Sequence, residues 1–201
     1  MGEPLVPQGL QVRVLEHFSA HQLSCAFLKR WRGKSLALCM QLISDLAWIR
    51  PLPPRVFLIN KTLDRAQKLL LIVRRLLAAH NEFTVTHVRA TSIGATIGNT
   101  TLTIDCRSVS SAVQAPAGCW LYIDDFAFAH PDHLAHFMGL YPTVVRAIGL
   151  PKRAPGATTY IEHLQEDVWG SADDPAFAQR ALDSNPFTTL NPLVVPLVLS
   201  E

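Results

Sequence analysis

Two polar clusters in the chain have residue types that fit polyphosphate chemistry. Gly33-Lys34-Ser35 stands directly before a stretch with apolar residues at helical spacing, and Asp124-Asp125 closes a short apolar run ninety positions after Lys34. A nucleoside triphosphate presents clustered negative charge. Glycine at a helix start offers backbone amides to it, lysine an ammonium for the outer phosphates, and serine a hydroxyl for magnesium. In the second cluster Asp124 is suited to hold magnesium, directly or through a water, and Asp125 to orient and deprotonate an attacking water. The full phosphate-loop pattern asks for glycine five positions before Gly33, where this chain has Leu28. Taken alone, the triplet also reads as a basic surface turn capped by Ser35, and the acidic pair as a polar turn before Phe126.

The elements that must carry these clusters follow from periodicity. Leu23 to Leu28 is a short apolar strand that runs into Lys29-Arg30-Trp31-Arg32-Gly33-Lys34-Ser35, and a helix continues through Ile49 until Pro51, Pro53 and Pro54 stop it. Val56 to Ile59 is a strand apolar on both faces, and Thr62 caps a helix over Leu63 to Ala79 with Arg74 and Arg75 near its end. Strands at Thr84 to Val88, Ile93 to Ile97 and Thr101 to Cys106 follow, the last two joined by Gly98-Asn99. Trp120 to Ile123 is another buried strand, and Pro131 to Ile148 reads as a helix with Pro142 as its kink or break. Pro151, Pro155, Gly156, Pro175, Pro186, Pro192 and Pro196 predict a loop-rich remainder with one or two short helices and an edge strand. This alternation predicts an α/β fold, a mostly parallel sheet with helices on both faces and its ligand site at the carboxyl ends of the strands, where both clusters fall. Lys34 and Asp124 should meet there, brought together by adjacent strands.

Composition narrows the setting. The chain has 201 residues, 49% apolar and 17% charged, with net charge +2, which fits one globular domain and excludes disorder, coiled coil and a strong overall field for polyanions. Cys25, Cys39, Cys106 and Cys119 form no Cys-x-x-Cys pair, which points to core thiols in a reducing, intracellular compartment. No secretory signal is visible, and neither Leu69 to Val73 nor Leu193 to Leu199 approaches the ~20 residues of a membrane span, so no membrane partner is expected. His130, His133 and His136 share a potential helix face with Asp132, which reads as a solvent-facing helix start before it reads as a metal site. Trp31 and Trp48 could stack on a base but suit a core or rim. Lys68, Arg74 and Arg75 could touch a DNA backbone but suit a solvated helix face. Glu166-Asp167 and Asp173-Asp174 read as loop carboxylates rather than a two-metal nuclease site.

In order along the chain, from about residue 10 to about residue 149, these segments resemble the ATPase domain of the large terminase subunit that packages DNA in tailed phages and herpesviruses. That family replaces the first glycine of the phosphate loop and has an arginine three positions before Gly-Lys, as Arg30 stands here. The resemblance makes Lys29, Arg30, Trp31, Arg32, Gly33, Lys34 and Ser35 the nucleotide loop, with Arg30 a finger supplied in cis to the γ-phosphate. Gln11, nineteen positions before Arg30, falls where the family places an adenine-reading glutamine. Val56 to Asn60 with the following helix is similar to its second strand and helix, Thr100 to Cys106 with Ser110-Ser111 to the segment before the acidic strand, and Leu121 to Phe128 to the acidic motif.

The resemblance implies a P-loop NTPase of the ASCE type that binds ATP and Mg2+, with Ser35 and Asp124 on the metal and Lys34, Arg30 and Asp125 catalytic. It further implies hydrolysis coupled to translocation of double-stranded DNA, homo-oligomeric assembly with other motor subunits or a portal, and residence in the host cytoplasm or nucleus. Departures from the family pattern are visible. Asp125 stands where glutamate is usual, Pro116-Ala117-Gly118 lacks the arginine found before the acidic strand, and the coupling motif has Thr158 as its counterpart. No nuclease domain is expected in residues 1–201, which read as a single domain. The alternative that these departures support is a catalytically silent ATPase-like module serving as an assembly partner in packaging.

Overall fold

In the strands flanking the candidate site, successive side chains are apolar on both faces, and the structure supplies a cover for each. The computed structural model describes residues 9–28, 33–115, 117–150, 176–183 and 185–199. Its elements are α1 (Leu10–Ala20), β1 (Leu23–Leu28), α2 (Lys34–Trp48), β2 (Arg55–Asn60), α3 (Leu63–Ala79), β3 (Phe83–Val88), β4 (Ser92–Ile97), β5 (Thr100–Ser108), β6 (Trp120–Asp124), α4 (Pro131–Met138), β7 (Val144–Gly149), α5 (Ala176–Asp183), α6 (Phe187–Leu190) and β8 (Val195–Leu199). One eight-stranded sheet runs in the order β3-β4-β5-β2-β6-β7-β1-β8, parallel except for the β3-β4-β5 flank. Ala26, Leu28, Val56, Leu58, Trp120, Tyr122, Val144 and Ile148 pack under α1, α2 and α3. Their neighbours Cys25, Phe27, Phe57, Ile59, Leu121, Ile123, Val145 and Ala147 pack on the opposite face against Leu134 and Phe137 of α4, Ala181 of α5 and Phe187 of α6. The period of two therefore feeds two cores at once.

On the antiparallel flank the two faces differ in chemistry. Leu102, Ile104 and Cys106 of β5 join the core under α3, while Thr103, Asp105 and Arg107 alternate with them on the other face. Gly98 turns the β4–β5 hairpin at φ 57°, a left-handed conformation that glycine adopts without cost. β3 has a bulge between Val85 and His87. Thr62 caps α3 as expected, its hydroxyl accepting from the Arg65 amide at 3.4 Å.

Two expectations are corrected. Pro131 to Ile148 is not one helix. α4 ends at Met138, Tyr141 takes a positive φ of 50°, and Val144–Gly149 forms a wholly buried parallel strand. The physical reason is burial between two layers, which favours β-branched Val144, Val145 and Ile148 in a strand and overrides helical spacing read across Pro142. That strand also corrects the second expectation. β7 lies between β1 and β6, so the strand leading to Lys34 and the strand ending in Asp124 are not adjacent. α1, which the sequence reading did not assign, covers the start of β1. The last described segments do form two short helices and an edge strand that contains Pro196. Among the described residues no helix is long and apolar enough to cross a membrane.

Candidate functional site

The two polar clusters meet although a strand separates their carriers, because α2, which starts at Lys34, packs across β7 and β6. Gly33 caps α2 at φ 66°, ψ 26°, and its carbonyl accepts from the Ala37 amide at 2.9 Å. A side chain on Gly33 would collide with the Gln11 carboxamide, so α1 sets that group directly against Gly33. Gln11, Gly33, Lys34 and Ser35 thus stand together as the sequence reading expects.

Asp124 ends β6 at 5% exposure. Its Oδ2 accepts from the Ser35 hydroxyl at 2.7 Å and from Asn60 Nδ2 at 3.2 Å, while its Oδ1 accepts from the Asp125 amide at 3.1 Å. Desolvation first, and the neighbouring Asp125 charge second, push its pKa up to about 6, against the opposing pull of the Ser35 hydrogen bond and the Lys34 ammonium. A buried carboxylate raised in this way gains from a cation. The donors gathered there are all hard oxygens: the Asp124 carboxylate, the Ser35 hydroxyl and the Asn60 carboxamide oxygen, which is buried and has no hydrogen-bond partner among the described residues. This set of hard oxygens fits a magnesium ion.

Asp125 adopts a left-handed backbone at φ 56°, ψ 36° and begins the 3-10 turn Phe126–Phe128. Phe126 is fully buried with its ring 5.0 Å from that of Phe27 and 5.3 Å from that of Phe187, and so anchors the turn below the acidic pair. The Asp125 carboxylate receives Arg65 Nη1 at 3.2 Å, from the first turn of α3. Asn60 and Arg65 are site residues that the sequence reading missed. Their signal was positional, since both follow the second strand, whose carboxyl end must lie beside Asp124 in a parallel sheet.

Other expected residues fall elsewhere. Lys29, Arg30, Trp31, Arg32 and Thr158 lie outside the described residues. Trp48 is 84% exposed at the far end of α2, roughly 20 Å along the helix from Lys34, and cannot stack on a base there. The serine segment docks beside the site, with the Val109 amide donating to the Asn60 carbonyl at 2.8 Å and the Ser108 and Ser111 hydroxyls 2.7 Å apart. His130 accepts from the Asp132 amide at the start of α4, and the His136 ring bonds the backbone of Val113. Among the described residues no three or more His, Cys, Asp or Glu side chains come together to hold a metal ion, the three histidines of this segment included. Lys68 pairs with Asp64 on the solvated face of α3.

No family model and no curated protein matches the chain. Solved structures do. The large terminase of a thermophilic bacteriophage aligns at a TM-score of 0.61 with 12% identity, over 97% of this chain and 45% of that one. The same terminase in complex with ATP-γ-S aligns at 0.58 and 14%, over 78% of this chain and 42% of that one. The ATPase domain of the Thermus phage P74-26 large terminase aligns at 0.61 and 17%, over 96% of this chain and 81% of that one. The HK97 bacteriophage large terminase aligns at 0.61 and 10%, over 98% and 40%. The chain spans less than half the length of the full terminases and about four-fifths of the isolated ATPase domain. With its mostly parallel sheet, its Gly33-capped helix and its acidic strand end, the chain has the P-loop NTPase fold of the ATPase domains of phage large terminases.

Proposed function

We propose that the chain is the ATP-binding and ATP-hydrolysing motor domain of a viral DNA-packaging terminase, working on double-stranded DNA in a homo-oligomer with a portal or other motor subunits. The observation that carries this reading is the 2.7 Å hydrogen bond from Ser35 to Asp124, which joins the helix carrying Lys34 to the acidic strand end. Lys34 supplies charge to the outer phosphates, and the amides at the start of α2 face them. Ser35 and Asp124 hold magnesium, which supplies neutralising charge to the phosphates. Asp125 takes the proton of the attacking water once its carboxylate leaves Arg65. Phosphoryl transfer is governed by positioning and charge, so single deletions in this set are severe.

Lys34→Ala should fold normally and lower ATP turnover at least ~100-fold. Phosphate release measured with and without double-stranded DNA checks this, and full turnover in the variant would reject the site.

A second reading rests on the Arg65–Asp125 pair: a module that binds nucleotide and partners but turns nothing over, because its second carboxylate is both short and engaged. Thermal stabilisation by ATP with magnesium, without phosphate release in the presence of DNA, is its signature.

A further inference from the structure

Far from the phosphate loop, α2 carries a second polar connection to the strand that ends in Asp124. Asp45, 3% exposed on α2, has both carboxylate oxygens filled. Its Oδ2 accepts from the Tyr122 hydroxyl at 2.7 Å and from Arg146 Nε at 2.9 Å, and its Oδ1 from Gln41 Nε2 at 2.7 Å and Arg146 Nη2 at 3.2 Å. Arg146, 1% exposed on β7, spends its third nitrogen on the His21 carbonyl and on Ser24 Oγ, and its guanidinium stands 5.8 Å from the centre of the Phe18 ring. The cluster therefore joins α1, β1, α2, β6 and β7.

Full satisfaction of a buried pair offsets its desolvation but seldom adds net stability over apolar residues of the same shape. What it fixes is position. Tyr122 and Asp124 are two residues apart on one face of β6, while Ser35 and Asp45 lie about 15 Å apart along α2. The helix is thus tied to one strand twice, by Ser35 to Asp124 and by Asp45 to Tyr122. The Ser35 hydroxyl can keep its hydrogen bond to Asp124 while its lone pairs face a cation, so the separation of the two groups follows the position of α2 along β6, to which the Asp45 connection adds a second polar tie beside the apolar packing. Magnesium tolerates little error, because its ligands stand at about 2.0–2.1 Å in near-octahedral geometry.

We propose that the Asp45–Tyr122–Arg146 cluster sets the position of α2 along β6 and through it the separation of Ser35 and Asp124, which makes Tyr122 and Arg146 positioning residues for the magnesium-loaded nucleotide site. The proposal rests on the functional reading above.

Tyr122→Phe keeps the ring in the core and removes only the hydroxyl, while Arg146→Lys keeps the charge and removes the two-pronged contact. For each variant, MgCl2 is titrated at saturating ATP-γ-S and the rise in melting temperature is recorded, with ATP-γ-S binding also measured in EDTA. The expected result is a Mg2+ half-saturation raised about tenfold in Tyr122→Phe and further in Arg146→Lys, with binding in EDTA unchanged within twofold. Lowered melting temperatures with unchanged Mg2+ half-saturation would overturn the proposal and leave the cluster as core packing. A wild-type chain that binds no ATP-γ-S at any Mg2+ concentration overturns the functional reading and this proposal together, a result distinct from the first.

Discussion

Arg146–Asp45 and Arg65–Asp125 are the same ion pair in two surroundings. The first closes at 2.9 Å with side chains 1% and 4% exposed, and it is surrounded by Tyr122, Gln41, Ser24 and the His21 carbonyl. The second closes at 3.2 Å, with Arg65 39% exposed and Asp125 13% exposed. Desolvation makes breaking the first costly and leaves the second cheap to exchange for another partner. The first suits a fixed helix position, and the second leaves a carboxylate that can change partners, as the proposed reaction asks of Asp125.

The contrast is tested most harshly by Arg146→Ala, which strands Asp45 without its cation and should cost about 3–5 kcal/mol in urea unfolding. A loss below about 1 kcal/mol would erase the difference between the pairs. An intermediate effect is expected at Asp124. Its pKa rises from 3.8 to about 6 in the fold, so between those values the folded chain keeps a proton that the unfolded chain has lost, and stability falls as pH rises through that window. Above it the buried charge is a standing cost. Asp124→Asn should therefore raise the stability of the nucleotide-free protein by on the order of 2 kcal/mol at pH 8 and leave it unchanged near pH 3, as melting curves at the two pH values will report. The smallest effect belongs to Arg65→Ala. Its loss should be no more than about 1 kcal/mol, and salt should shrink the difference between variant and parent. A larger, salt-insensitive loss would place this pair in the same class as Arg146–Asp45.

Much of the frame could be read from the chain because local pattern and burial agree. Val56 to Ile59, the helix from Leu63 to Ala79 and its Thr62 cap, and the Gly98-Asn99 hairpin all stand where periodicity and turn chemistry place them. Gly33, Lys34, Ser35 and Asp124 stood out by residue type, and strand direction set both clusters at the carboxyl ends of the sheet, although the strands expected to be adjacent are not. What failed was long-range. Val144-Val145-Arg146-Ala147-Ile148 carries an arginine inside an apolar run, and only the placement of Asp45 and Tyr122 around it explains how that charge enters a fully buried strand. Without that knowledge the run joined the preceding helix, and the strand separating β1 from β6 was lost with it. Asn60 and Arg65 were hidden for a related reason, since a lone asparagine or arginine acquires meaning only from its neighbour across the sheet.

The left-handed turn at Asp125 bears on why that position holds the shorter acid. Aspartate settles in this backbone basin more readily than longer side chains, which meet a penalty of about 1 kcal/mol there. Side-chain reach and main-chain curvature are therefore linked at a single residue. A longer acid would pull against the bend that holds it, so the departure from glutamate and the shape of the turn read as two aspects of one local solution.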